Sequence, residues 1–122
     1  AGTSLSGQAI SDSILIVAGK HWEGYSISPD HEEITLQPGI IGQRVNELLA
    51  PFGRKFAPDP ASVKSAMVGG IVMNNASGMN CGPHAAPHLT RHTAISSGAS
   101  ARSAMKCVPT RNWRNASATN IP

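Results

Sequence analysis

All seven acidic side chains of this 122-residue chain lie within residues 1–82, and residues 83–122 hold none. The ten basic residues divide evenly, five on each side of that point. The first part is therefore mildly acidic and the second wholly basic. Only seven of the last forty residues are Leu, Ile, Val, Met, Trp or Cys, and they follow neither a strand period nor a helix period. "PHAAPHLTRHTAISSGASARSAM" mixes small, hydroxyl and basic residues with early prolines, a composition that predicts disorder. Any packed core must then come from residues 1–82. Loss of acids and of periodicity at a single point also suggests a non-native or frameshifted reading frame over 83–122. Its five basic residues are scattered rather than patched, so nucleic acid is not an expected partner.

Within residues 1–82 the pattern alternates between element types. "SILIVAG" at Ser13–Gly19 is a short apolar run bounded by polar residues and glycine, which predicts a buried strand. Tyr25–Ser28 and Glu33–Gln37 alternate apolar with polar residues around the turn-rich Pro29-Asp30-His31-Glu32, which predicts an antiparallel hairpin. Ile41, Val45, Leu48, Leu49 and Phe52 fall on one face of a helix that Pro51 and Gly53 should stop. "APDPAS" is unsuited to helix because each proline pushes its predecessor toward extended geometry. "SAMVGGIVMNNASG" predicts a short helix beginning near Gly69-Gly70. With aromatics at 4% of the chain, the core should be aliphatic. No run approaches the roughly 20 apolar residues of a membrane span, and no basic-then-apolar leader is visible. Two cysteines are too few for a disulfide framework, so a reducing, cytoplasmic setting is expected.

Two segments carry candidate chemistry. "AGTSLSGQAIS" opens the chain with two glycines, three serines, a threonine and no charge. Gly2 and Gly7 permit close backbone approach, and Thr3, Ser4 and Ser6 add hydroxyl donors, a composition suited to an anion nest. It suits a plain surface loop equally well. "PDPAS" followed by "GGIVMNNASG" offers a glycine pair at a helix start, whose N–H groups attract anions, and the polar Asn74, Asn75 and Ser77. A helix and turn packed tightly through glycine would look the same. His84, His88 and His92 recur at four-residue spacing, but Pro87 interrupts a helix there and no acid follows, so no metal site is expected. Cys81 has no nearby His or Cys-x-x-Cys partner and reads as a small thiol rather than a nucleophile.

Taken jointly and in order, these segments resemble the FAD-binding domain of the FAD-linked oxidases. That fold is shared by vanillyl-alcohol oxidase and p-cresol methylhydroxylase, and the likeness is strongest to the D-lactate dehydrogenase and glycolate oxidase type. "AGTSLSGQAIS" resembles the loop around the FAD pyrophosphate. "LQPGIIGQRVNELLAPFGRKFAPDPAS" resembles the strand, helix and ligand-facing turn that follow, and "MVGGIVMNNASGMNCG" the second FAD-contacting segment. The likeness covers residues 1–82.

The resemblance implies an α+β fold: a partial FAD-binding domain over residues 1–82, a sheet with flanking helices, followed by the tail. It makes Gly2, Thr3, Ser4, Leu5, Ser6, Gly7 and Gln8 pyrophosphate-loop positions. It makes Pro58, Asp59, Pro60, Ser62, Gly69, Gly70, Asn74, Ser77 and Gly78 neighbours of the flavin or ribose. Some relatives attach FAD through a histidine in the first loop; this loop has none, so non-covalent binding is implied. The implied reaction is hydride transfer to the flavin from a 2-hydroxy acid such as D-lactate or glycolate, with electrons passed to an acceptor. No catalytic base is identified. Relatives also carry a smaller βαβ lobe ahead of the first loop and a substrate-facing cap, neither of which is in these 122 residues. The expectation is therefore a fragment, inactive alone and holding FAD weakly. A non-catalytic nucleotide-binding module and an inactive truncated product are the alternatives. Some intact relatives are membrane-associated.

Overall fold

The alternating hairpin sequence folds as its pattern requires. In the computed structural model, which describes residues 1–7, 10–78 and 103–109, β1 (Tyr25–Ile27) pairs antiparallel with β2 (Glu33–Leu36). Tyr25 stands opposite Leu36, and Ile27 opposite Ile34. The turn between them is closed by Ser28, whose backbone N–H donates to the Glu33 carbonyl at 2.9 Å. The Ser28 hydroxyl accepts from the Glu33 N–H and donates to the Asp30 carboxylate, which also accepts from the Glu32 N–H. These two donors, the Ser28 hydroxyl foremost, hold Asp30 below its ordinary carboxylate pKa. His31 takes a left-handed conformation at φ +57°, and its ring stacks on Phe52 with 4.1 Å between centroids.

The predicted helix is α1 (Gly42–Leu49), with Val45 and Leu49 buried and Arg44 paired to Glu47 on the outer face. It tightens into a 3-10 turn over Ala50–Phe52, where Pro51 sits in the first turn. It ends at Gly53 in the left-handed region, φ +62°. Phe52 falls in that turn and stays exposed. The chain then returns as β3 (Arg54–Phe56), a strand too short to show a period, pinned to α1 by the Phe56 N–H on the Asn46 side-chain oxygen at 3.0 Å. The short second helix is α2 (Val68–Met73), with Val68 and Ile71 buried. Helices of eight and six residues are too short to persist alone, so packing holds both. The core is aliphatic around one aromatic: Ile34, Leu36, Ile40, Val45, Leu49, Phe56, Ala66, Val68, Ile71 and Cys107.

Two expectations are corrected. Ser13–Gly19 is not a buried strand. Ile14, Leu15, Ile16 and Val17 are 63–89% exposed, and no strand among the described residues pairs with them. Apolar composition gives a segment the propensity for a strand but supplies no partner. The expectation of disorder over residues 83–122 also fails at β4 (Ser103–Pro109), which lies inside the sheet in the order β1-β2-β4-β3. It pairs antiparallel with β2, Glu33 opposite Lys106, and with β3, Phe56 opposite Cys107. Both of its partners are distant in sequence. Its pairing satisfies backbone groups along two strand edges, a driving force that needs no side-chain period. The rest of the tail, including Cys81, His84, His88 and His92, lies outside the described residues. Among the described residues no helix is long and apolar enough to cross a membrane.

Cys107 fixes β4 to the core: it is 7% exposed, and burial pushes its thiol up to about 11 from an ordinary 9.0. In a Cys81→Ser chain, Ellman's reagent should therefore react slowly with Cys107 in buffer and fully in urea. Below pH 9 the thiol is neutral in both states. Between 9 and 11 only the unfolded chain ionises, so stability should fall across that window. Urea midpoints measured against a Cys107→Ala chain isolate this contribution.

Candidate functional site

The site is organised by a backbone crossing. Residues 38–43 and 63–69 run past each other and exchange four hydrogen bonds. The Gly69 N–H donates to the Pro38 carbonyl at 2.9 Å, and the Val68 N–H to Ile40 at 2.8 Å. In return the Gly42 N–H donates to Ala66 at 3.0 Å, and the Gln43 N–H to Val63 at 2.9 Å. An isolated bridge joins Ile41 to Met67 at the centre. Close approach is what makes Gly69 necessary, since a Cβ there would stand 2.7 Å from the Pro38 ring. Gly70, one residue on, faces open space.

The crossing occupies part of the helix start, while Gly70 in its first turn lines the cleft beside the opening loop. The first amides of α2, those of Val68 and Gly69, are already committed to the 38–40 carbonyls. Further donors come from the surrounding loops. The 60–66 turn is held by the Val63 N–H on Pro60 and the Ala66 N–H on Ser62. Beyond α2, Asn75 turns left-handed at φ +48° and the chain comes back alongside residues 58–60. There the Asp59 N–H donates to the Ser77 carbonyl at 2.7 Å, and Gly78, at φ +81°, lies against the Asp59 carbonyl where no Cβ would fit. The result is a clasp of residues 58–60 and 77–78. The carboxylate of Asp59 turns to Lys55, 3.1 Å away.

The opening loop lies across the other side. Its α-ammonium approaches the Met67 sulfur at 3.6 Å, and the Ser6 N–H donates to the Ser4 hydroxyl at 3.3 Å. Between loop and helix is a cleft of about 250 Å³. Gly2, Thr3 and Ser4 form one wall; Ser62, Gly70 and Asn74 form the other. Ala66, Ile71, Met73 and Ala76 give it an apolar floor. No acidic or basic side chain lines it. Its polar groups are hydroxyls, an amide and backbone, with Ala1 and its α-ammonium also on the lining.

Six of the anticipated residues thus meet at one cleft: Gly2, Thr3, Ser4, Ser62, Gly70 and Asn74. The others are placed elsewhere. Leu5 is fully exposed, and Ser6 and Gly7 are exposed and do not line the cleft. Pro58, Asp59, Pro60, Ser77 and Gly78 belong to the clasp behind the cleft, and Gly69 packs against Pro38. Gln8 lies outside the described residues. The apolar floor went unanticipated, because Ala66 and Ile71 carry the same signal as any core residue. A smaller cleft of about 130 Å³ lies between Gly24–Ser26 and Thr35–Gln37, where the Gln37 side-chain oxygen accepts from the Gly24 N–H. Among the described residues no cluster of His, Cys, Asp and Glu could hold a metal.

Comparison with known proteins points the same way. The profile of a family described as FAD binding domain matches residues 1–97. The chain is 35% identical over 83 residues to the glycolate oxidase subunit GlcD of Escherichia coli K12, covering 66% of this chain and 17% of that protein. It is 32% identical over 78 residues to D-2-hydroxyglutarate dehydrogenase of the same organism, covering 63% of this chain and 8% of that protein. The corresponding enzyme of Pseudomonas putida is 31% identical over 78 residues, with the same coverage. The chain thus spans less than a fifth of the length of these relatives. No solved structure matches it.

The two adjacent glycines give a test of the crossing. Ala at position 69 overpacks against Pro38, a cost of about 1–3 kcal/mol that exceeds the helix-propensity gain of about 1 kcal/mol. Ala at position 70 collects the gain without the clash. Urea unfolding should show Gly69→Ala below the parent chain and Gly70→Ala at or above it.

Proposed function

The chain belongs to the FAD binding domain family, and from that premise we propose that it is the cofactor-cradling segment of a flavin-dependent oxidoreductase acting on a small 2-hydroxy acid. The observation that carries the proposal is the convergence of two segments, 58 residues apart at their nearest wall positions Ser4 and Ser62, on one polar cleft that no acidic side chain lines. A dinucleotide pyrophosphate needs several donors and tolerates no carboxylate close by. Thr3, Ser4, Ser62 and Asn74 supply donors, and no acid lines the cleft. The residues present therefore fit the group. The names of the relatives, glycolate oxidase and D-2-hydroxyglutarate dehydrogenase, support the 2-hydroxy-acid substrate class.

FAD, when bound, supplies acceptance of the hydride from the hydroxy-bearing carbon. The work of this chain is to bind and orient. In this assignment Gly2, Thr3 and Ser4 hold the pyrophosphate from one side, with Leu5, Ser6, Gly7 and Gln8 completing the loop. Ser62, Gly70 and Asn74 close on it from the other, and the clasp of Pro58, Asp59, Pro60, Ser77 and Gly78 keeps the second wall in place. Gly69 acts through the crossing. Binding is non-covalent, since the opening loop holds no histidine. No lining side chain is an acid or base that would take the substrate hydroxyl proton, so that step is assigned outside this cleft, as is the electron acceptor. The cradle is placed within residues 1–82.

A cleft of about 250 Å³ is smaller than the roughly 300–1,000 Å³ that enclose a drug-sized ligand. It encloses part of a dinucleotide. Titration of the purified chain into FAD, followed by flavin fluorescence, should give a saturable change with Kd in the tens of micromolar, about −6 kcal/mol. Ser4→Ala combined with Asn74→Ala removes two hydrogen bonds at about 1 kcal/mol each and should weaken binding at least tenfold with unchanged circular dichroism. No saturation below about 1 mM FAD, equivalent to −4 kcal/mol, would contradict the proposal.

A further inference from the structure

We infer that Lys55 is a positioning residue for the cofactor's phosphates: by neutralising Asp59 it keeps the carboxylate of the clasp from repelling an anion in the cleft. This rests on the FAD reading above.

The backbone of Asp59 is fixed next to the cleft-lining segment. Its N–H is bonded to the Ser77 carbonyl at 2.7 Å, and Gly78 packs on its own carbonyl, so its backbone is held from both sides. Ser62, which lines the cleft, is three residues further on, no more than about 11 Å away even along a fully extended chain. Ala76, on the cleft floor, adjoins Ser77. The Asp59 side chain is 17% exposed and that of Lys55 27%, so solvent screens the pair far less than it would a surface pair. The ammonium stands 3.1 Å from the carboxylate, on β3, and neither residue lines the cleft itself. No basic side chain lines the cleft, so only the α-ammonium of Ala1 stands there to offset an uncompensated Asp59 charge. The family-like "PDP" turn thus places an acid behind an anion site, and Lys55 makes that placement tolerable.

A merely structural lysine and an electrostatic one differ in sign and in salt dependence. FAD affinity of the full 122-residue chain should fall about tenfold in Lys55→Met at about 10 mM salt, and the loss should shrink to about twofold at about 1 M. Lys55→Arg should retain parent affinity. Asp59→Asn in the Lys55→Met chain should restore binding, and Asp59→Asn alone should bind FAD at least as tightly as the parent. A loss that is equal at both salt concentrations, or that Asp59→Asn does not reverse, would overturn the inference and leave Lys55 a structural residue. Failure of the parent chain to bind FAD would instead overturn the reading beneath it. Circular dichroism of each variant keeps the two failures apart.

Discussion

The four backbone hydrogen bonds exchanged where residues 38–43 cross residues 63–69 are the constraint on which the rest depends. They set the starts of α1 and α2 side by side, although both helices are too short to hold their own geometry. They bury Ile40, Val45, Val68 and Ile71 in one cluster. They also commit the amides of Val68 and Gly69, leaving Gly70 as the part of the α2 start that lines the cleft. Removing the crossing would take away the second wall of the cleft and half the core together.

What could be read along the chain was whatever depended on neighbours in sequence. The β1–β2 hairpin follows from alternation and a turn; α1 follows from its apolar face and the Pro51–Gly53 stop; α2 begins within a residue of the glycine pair. What could not be read depended on a distant partner. Ile14–Val17 have every local mark of a strand, yet nothing described pairs with them. Ser103–Pro109 has no such mark, yet two separated edges receive it. β3, three residues long, is defined by β4 and by Asn46 of α1 rather than by any period of its own. Local propensity ranks segments, and tertiary pairing decides among them.

The site was legible to a similar degree and for a related reason. Hydroxyls and glycines in Gly2–Ser4, and the polar exit at Asn74, advertise themselves by composition, and the family resemblance joined them. Their meeting depends on Gly69, whose sequence signal suits ligand approach and tight packing alike and whose place is against Pro38. The clasp rests on the positive φ of Gly78 and on backbone bonds to Asp59, neither of which a residue name announces. The proposed anion site is built mainly from neutral dipoles, with Asp59 of the adjoining clasp held in an ion pair to Lys55. Such a site orients a phosphate group without gripping it strongly, which fits a cofactor that other parts of an enzyme would also hold.

In the proposed cleft the opening loop and the α2 segment form two walls around one ligand. Amide chemical shifts of the isotope-labelled chain during FAD titration test it most directly. The account predicts that Gly2, Thr3 and Ser4 shift together with Gly70 and Asn74, along a single binding curve. Shifts confined to one of these segments, or centred on the β1–β2 hairpin, would contradict it.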